Sequence, residues 1–348
     1  DGTAANKWEP ANASIRPGGT VTFRVAGELA TGHPLERPVT LVRRWQAFWF
    51  PAVPVRRVAL FRIVMTGYAF FDVWLVSGFI SRYAHVDEAF YKPLLFLRPL
   101  PRLEPGLTSA IHAVLVVSLA LALVGCFTRP ALWIAAPLYL WWWGTYYSFG
   151  AVHHGRIPVV VALFVLAVAP SGGAYSVDWL RSRRRAVGGG AWQPAAEPCD
   201  ELAGWALRVV MVLVVGAYVL AAYAKLRVAG PGWITSGALE AVMIRNGTPA
   251  AMLLVRHVWL VEAMAALTLL LEATAWLLFF RGRIRDAYVV AAVLFHIGTL
   301  VVLNISFLGL VAAYLTFYDL EVGVDRVRTW LRQRRLSADA SARELPLR

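Results

Sequence analysis

Charge is what this chain has least of for its size. Only 16% of its 348 residues are charged, against roughly 25% in a soluble domain. Acidic residues are scarcer still: 21 Asp and Glu face 34 Lys and Arg, for a net charge of +13. There are only two cysteines, Cys126 and Cys199, which excludes a disulfide scaffold and a multi-cysteine zinc site. No internal repeat is found, and no cleavable signal is read in the residues from Asp1 onward.

What fills the space is apolar. Hydrophobic residues make up 59% of the chain and the mean hydropathy is +0.58. Fifteen Trp and twelve Tyr supply rings suited to a membrane–water boundary. In a soluble protein the positive charge would raise nucleic acid as a partner. Here the arginines fall mainly between apolar runs, so the partner they indicate is anionic membrane lipid, not nucleic acid. No protein partner is indicated.

A membrane-crossing helix needs about 20 mostly apolar residues. Runs of that kind lie near 58–79, 107–126, 131–149, 157–171, 205–226, 253–280 and 287–318. The expected fold class is therefore all-α, a polytopic transmembrane helix bundle of about seven spans in a bacterial or archaeal cell membrane. The domain division is an N-terminal extension at 1–40, a transmembrane domain at 41–320 and a basic C-terminal tail at 321–348. The Gly- and Pro-rich stretch 229–250 reads as an interfacial or re-entrant piece. Residues 319–335 read as a basic amphipathic helix on a membrane surface.

Within 1–40, the turn Pro17-Gly18-Gly19 and the alternating run Thr20 to Val25 resemble the opening strands of a cupredoxin, with His33 beyond. No further ligands follow at copper spacing, so no metal site is expected. The adjacent His153 and His154 do not converge on one metal from a helix either.

Seven spans put the two ends of the bundle's chain on opposite sides. Arg56, Arg57, Arg129, the 181–185 cluster, Arg281, Arg283 and Arg285 share one side, which the positive-inside rule makes cytoplasmic. The C-terminal run Arg326, Arg328, Arg332, Arg334 and Arg335 conflicts with that count: either the tail is an exception or one span is miscounted.

Ionisable groups inside hydrocarbon cost at least about 2.5 kcal/mol and mark pairs or function. The candidates are Arg62, Asp72, Lys225, Glu262, Glu272 and His296. Arg62 and Asp72 are too far apart on one helix to pair, about 15 Å, and Arg62 is read as snorkelling to the interface. Lys225, Glu262, Glu240, His153 and His154 approach the non-cytoplasmic half. A lysine and carboxylates converging in an apolar bundle suit acid–base chemistry; they suit equally ion pairs that lock helices in register. Tyr223 and Trp233 flank Lys225 as walls for a flat apolar ligand.

The order of motifs carries a resemblance. Phe61-Arg62, Gly67 and Asp72 are followed by Leu97-Arg98-Pro99-Leu100-Pro101, His153-His154 and Tyr175-Ser176-Val177-Asp178. Then come Tyr223-Ala224-Lys225-Leu226, Trp233, Gly237, Leu269-Leu270-Leu271-Glu272, Phe279-Phe280, Phe295-His296 and Asn304-Ile305-Ser306-Phe307. Over roughly 58–318 the chain resembles the horizontally transferred transmembrane (HTTM), vitamin K-dependent γ-carboxylase-like family. The resemblance implies a reduced quinone of the vitamin K hydroquinone type as cofactor, carboxylase or epoxidase chemistry, and Lys225 as the base, with Glu262 and His296 assisting. Tyr223, Trp233 and His154 are the candidate quinone-binding residues. Two departures stand out. The family's Asn-His pair before the Ser-Val-Asp motif reads Gly172-Gly173 here, and the family's large C-terminal lumenal domain has no counterpart in this sequence. The other expectation is a non-enzymatic membrane scaffold, or a lipid- or partner-binding protein, on the same fold.

Overall fold

A computed structural model describes residues 41–150, 154–187 and 198–343. The cupredoxin-like reading, His33 and His153 lie outside the described residues, as does the side chain of His154.

The fold is all-α, and among the described residues the only strand pairing is Val53–Pro54 against Cys199–Asp200. Thirteen helices are described: α1 (Leu41–Trp49), α2 (Val55–Phe71), α3 (Pro105–Val124), α4 (Thr128–Tyr147), α5 (Ile157–Val168), α6 (Val177–Val187), α7 (Glu201–Ala229), α8 (Ala238–Asn246), α9 (Pro249–Leu254), α10 (Val258–Ala273), α11 (Arg283–Leu303), α12 (Leu308–Ala313) and α13 (Leu320–Arg343). Among the described residues, four helical stretches are long and apolar enough to cross a membrane: 55–85, 105–124, 201–233 and 283–303. This is a membrane protein. On α11, Val290, Leu294, Ile297 and Val301 recur at three- and four-residue spacing and are all more than half exposed, a stripe that suits a lipid-facing helix.

The apolar run 253–280 is not one helix. It divides at Thr274 into α10 and a tight turn over Ala275–Phe279. The run 287–318 also divides. α11 ends at Asn304, which adopts a left-handed conformation with φ 53°, and after Phe307 the chain returns as α12 and a turn to Phe317. The reversal is fixed at its far end, where Arg285, in the first turn of α11, donates to the Phe317 carbonyl. α13 then starts beside α2: Arg57 bonds Glu321 and Asp319, and Arg56 bonds Asp325 at 3.1 Å. The start of α2 and the C-terminal helix thus lie at the same end of the bundle, not at opposite ends. Counting 287–318 as a single element hides one reversal, and that omission produces the conflict over the C-terminal arginines.

The stretch 229–250 forms a short turn and α8, followed by α9. Asn246 and Thr248 donate to the carbonyls of Leu303 and Val302, and so satisfy orphan acceptors at the C-terminus of α11.

Candidate functional site

Polar side chains gather at three places inside this apolar bundle. At the first, α7 carries Lys225 and α10 carries Glu272, and the two helices pack together. Lys225 Nζ donates to both Glu272 carboxylate oxygens at 2.6 Å, and Glu272 is buried. The Trp233 ring lies 5.2 Å from Nζ, so an aromatic face covers the ammonium on another side. Apolar neighbours leave the charges no other partner, which is why they meet.

At the second, Tyr218 lies two turns before Lys225 on the same face of α7, about 10 Å along the axis. Its hydroxyl shares hydrogen bonds with His296 Nε2 on α11 and with the Tyr314 hydroxyl after α12. Tyr314 also lies 3.3 Å from His296 Nε2. All three side chains are buried. Tyr218 and Lys225 share α7, so the two clusters lie along one polar tract on that helix, with no hydrogen bond joining them among the described residues.

The third cluster surrounds Asp72, where α2 widens into a π-turn. Tyr139 Oη and Trp143 Nε1 donate to one carboxylate oxygen at 2.8 and 2.9 Å, and Arg156 donates to the other at 3.0 Å. The Arg156 guanidinium stacks over the Trp143 ring at 4.1 Å. Arg62 is wholly buried rather than snorkelling. It donates to the Tyr175 carbonyl at 2.7 Å, beside Gly125, which has φ +70° and where a Cβ would collide with the guanidinium.

At the end of the bundle that holds the arginine clusters, Asp178 accepts from Phe127 N–H at 3.0 Å, from Thr128 N–H at 2.8 Å and from the Thr128 hydroxyl at 2.8 Å. It thereby caps α4 from a different helix. Burial pushes its carboxyl up, but the donors from Thr128 and Phe127 and the charge of Arg181 prevail and hold it below the usual range.

Of the sequence candidates, Lys225 and His296 belong to one tract, and Trp233 is against Lys225. Glu262 is half-buried and makes no ion pair among the described residues; it lies ten residues from Glu272 on α10, about 15 Å. Glu272, not Glu262, is the carboxylate that meets Lys225. Tyr223 is 57% exposed and faces away from the bundle. His154 begins the short turn His154–Arg156. Tyr218, Tyr288, Tyr314 and Arg156 are the polar partners that sequence reasoning did not single out. Tyr218 had a signal, its seven-residue spacing from Lys225. The Gly172-Gly173 departure also has a physical cause. A Cβ at 172 would lie 2.8 Å from Thr128 Oγ1, and one at 173 would lie 2.7 Å from Val55 Cγ1, so a histidine at either place requires its neighbours to shift.

Beside the tract, a groove of about 550 Å³ opens between α8, α10 and α11. Leu239, Met243, Met264, Leu267, Leu271 and Phe295 make its walls apolar, and Tyr288, whose hydroxyl donates to the Leu271 carbonyl, also lines it. Lys225 and His296 do not line it. Both cysteines are free, and no cluster of three or more metal-ligating side chains occurs among the described residues. No family model, curated protein or solved structure matches the chain.

Proposed function

We propose that the chain is a multi-pass membrane protein of the γ-carboxylase-like type that holds a reduced quinone in the groove between α8, α10 and α11 and handles its protons through the Lys225–His296 tract. The observation that carries this reading is the Lys225–Glu272 pair, 2.6 Å apart in an apolar bundle and two turns along α7 from the Tyr218–His296–Tyr314 cluster. The groove fits such a group: Leu239, Met243, Met264, Leu267 and Phe295 would hold an apolar ring and tail, with Tyr288 at the polar side. A bound hydroquinone would supply an acidic ring hydroxyl and two reducing electrons. Transfer of the Lys225 proton to Glu272 leaves a neutral amine, which is the form a general base requires. Tyr218, His296 and Tyr314 form a separate hydrogen-bonded cluster two turns along α7 from that pair, with Tyr288 at the groove wall, and would serve as the next proton acceptors and donors beside it.

A second reading rests on the same pair. Lys225 is enclosed between Glu272 and Trp233, away from the groove lining, which is the arrangement of a clamp between α7 and α10 in a non-enzymatic scaffold or lipid-binding protein.

Titration of the purified chain with a naphthohydroquinone, followed by tryptophan fluorescence, tests the proposal. Saturable quenching is expected, weakened by Leu267→Trp, which fills the groove. With dioxygen supplied as the two-electron acceptor, Lys225→Ala should abolish hydroquinone oxidation while leaving binding in place. Absence of saturable binding removes the quinone reading; binding with turnover unchanged in Lys225→Ala removes the base and leaves the clamp.

A further inference from the structure

Far from the groove, four arginines converge on a pocket of about 490 Å³ at the end of the bundle where α2 and α7 begin: Arg57, Arg208, Arg281 and Arg285. Carboxylates account for only one of them. Asp319 lies 2.7 Å from Arg57 and Glu321 also bonds it, so both acids are committed to the same guanidinium. Asp286 accepts from the Tyr318 hydroxyl at 2.9 Å. Among the described residues Arg208, Arg281 and Arg285 pair with no carboxylate.

Each of the three is held by something that leaves its charge unmatched. Arg208 lies with its guanidinium 5.1 Å from the Phe48 ring and, among the described residues, donates only to the Met211 sulfur at 3.5 Å. Arg285 stacks 4.6 Å over Tyr318 and donates to the Phe317 carbonyl, while its buried Nε finds no partner among the described residues. Arg281 is exposed, close enough to Arg208 for the two charges to repel. Like charges brought together without counter-charges are unfavourable unless an anion joins them. Gly204 and Pro51 form the floor, where the Pro51 carbonyl approaches so closely that no Cβ fits at 204.

The surroundings say which anion. α1 presents Phe48 beside the pocket, against Phe279 and Arg208, and Trp45, 64% exposed, one turn earlier on the same helix. Phe279 and Met211 complete an apolar rim. A guanidinium cluster with an aromatic rim at the foot of lipid-facing helices matches a phosphate above acyl chains.

We propose that Arg208, Arg281 and Arg285 form a binding site for a phosphate-bearing anion, supplied by the headgroup of an anionic phospholipid. This site is independent of the quinone reading.

Native mass spectrometry of the full chain in detergent, titrated with phosphatidylglycerol, phosphatidylcholine or inorganic phosphate, tests it. Phosphatidylglycerol is expected to bind in preference to phosphatidylcholine, and Arg208→Gln and Arg285→Gln should each weaken it about fivefold. Arg281→Gln, at an exposed position that does not endanger folding, should do the same. Arg184→Gln on α6 removes an equal charge outside the pocket and should change nothing. Binding of inorganic phosphate that the same variants weaken, without a preference between the two lipids, would keep the anion site and reassign its source from lipid to free phosphate. Equal retention of both lipids by the wild type, with no phosphate binding, overturns the proposal. So does a loss in Arg184→Gln as large as in Arg281→Gln.

Discussion

Lys225 on α7 and Glu272 on α10 meet with both carboxylate oxygens 2.6 Å from the ammonium. The side chain of Glu272 is 9% exposed and that of Lys225 23%, so removing either partner leaves a charge poorly solvated. Lys225→Met and Glu272→Leu should each lower stability by about 2–3 kcal/mol, less than for a fully buried pair because water reaches the lysine. Lys225→Met combined with Glu272→Leu should recover most of that loss. Thermal melts of the four proteins in detergent make the cycle. Additive losses, with no recovery in the double variant, would show that the two charges are not coupled.

Asp72 and Arg156 form the more deeply buried pair, with side chains 2% and 13% exposed. Asp72→Asn keeps the shape and one acceptor but leaves the Arg156 charge unmatched over Trp143. A loss of about 3–5 kcal/mol is expected, read as a lower melting temperature or failure to purify. Arg156→Met leaves Asp72 with its Tyr139 and Trp143 donors, so its loss should be the smaller of the two. The reverse order would mean that the carboxylate, not the guanidinium, is the costly member when alone.

The helical class and most of the apolar runs were legible because a 20-residue apolar stretch has few other uses. Lys225, Glu272 and His296 were legible for the complementary reason: a titratable group in such a run has to be explained. What could not be read was partner choice. Glu262 and Glu272 sit on one helix with similar neighbours, and only the packing of α10 on α7 decides between them. The break at Asn304 was equally hidden, because Ile305, Ser306 and Phe307 are too apolar to announce a turn and Asn304 takes a positive φ without a glycine to mark it. Tyr218 and Tyr314 are 96 residues apart, a distance over which no periodicity carries information.

Asp178 gives the fold a pH dependence outside the bundle core. Its folded-state carboxyl is held below the usual range by the Thr128 and Phe127 donors, so the capping contribution is fully present above the unfolded-state pKa of about 3.9. It is lost as pH falls through the lower folded-state value. Asp178→Asn should cost about 1 kcal/mol at neutral pH and flatten the decline of melting temperature below pH 4. Parallel melting curves for wild type and variant across that range would assign the acid sensitivity elsewhere.

The last expectation concerns orientation. Arg57 bonds Glu321, and Arg285 donates to the Phe317 carbonyl. These contacts tie the start of α2, the start of α11 and the start of α13 to one end of the bundle. Ser182 on α6 belongs to the same end, because Asp178 in the first turn of that helix caps α4 next to Arg129. Ser81, beyond the π-turn of the first long helix, belongs to the other. All three test positions, Ser182, Arg326 and Ser81, are exposed. In a variant with Cys126 and Cys199 replaced by serine, single cysteines at 182 and 326 should therefore react alike. The arginine clusters place that end in the cytoplasm, so an impermeant maleimide added to intact cells should leave both unlabelled and label a cysteine at 81. Labelling at 326 together with 81, and not at 182, would break the α2–α13 contact on which the orientation rests. Labelling at 182 and 326 but not at 81 would keep the fold and invert it in the membrane, which would place the arginine pocket outside the cell and move its lipid partner to the opposite leaflet.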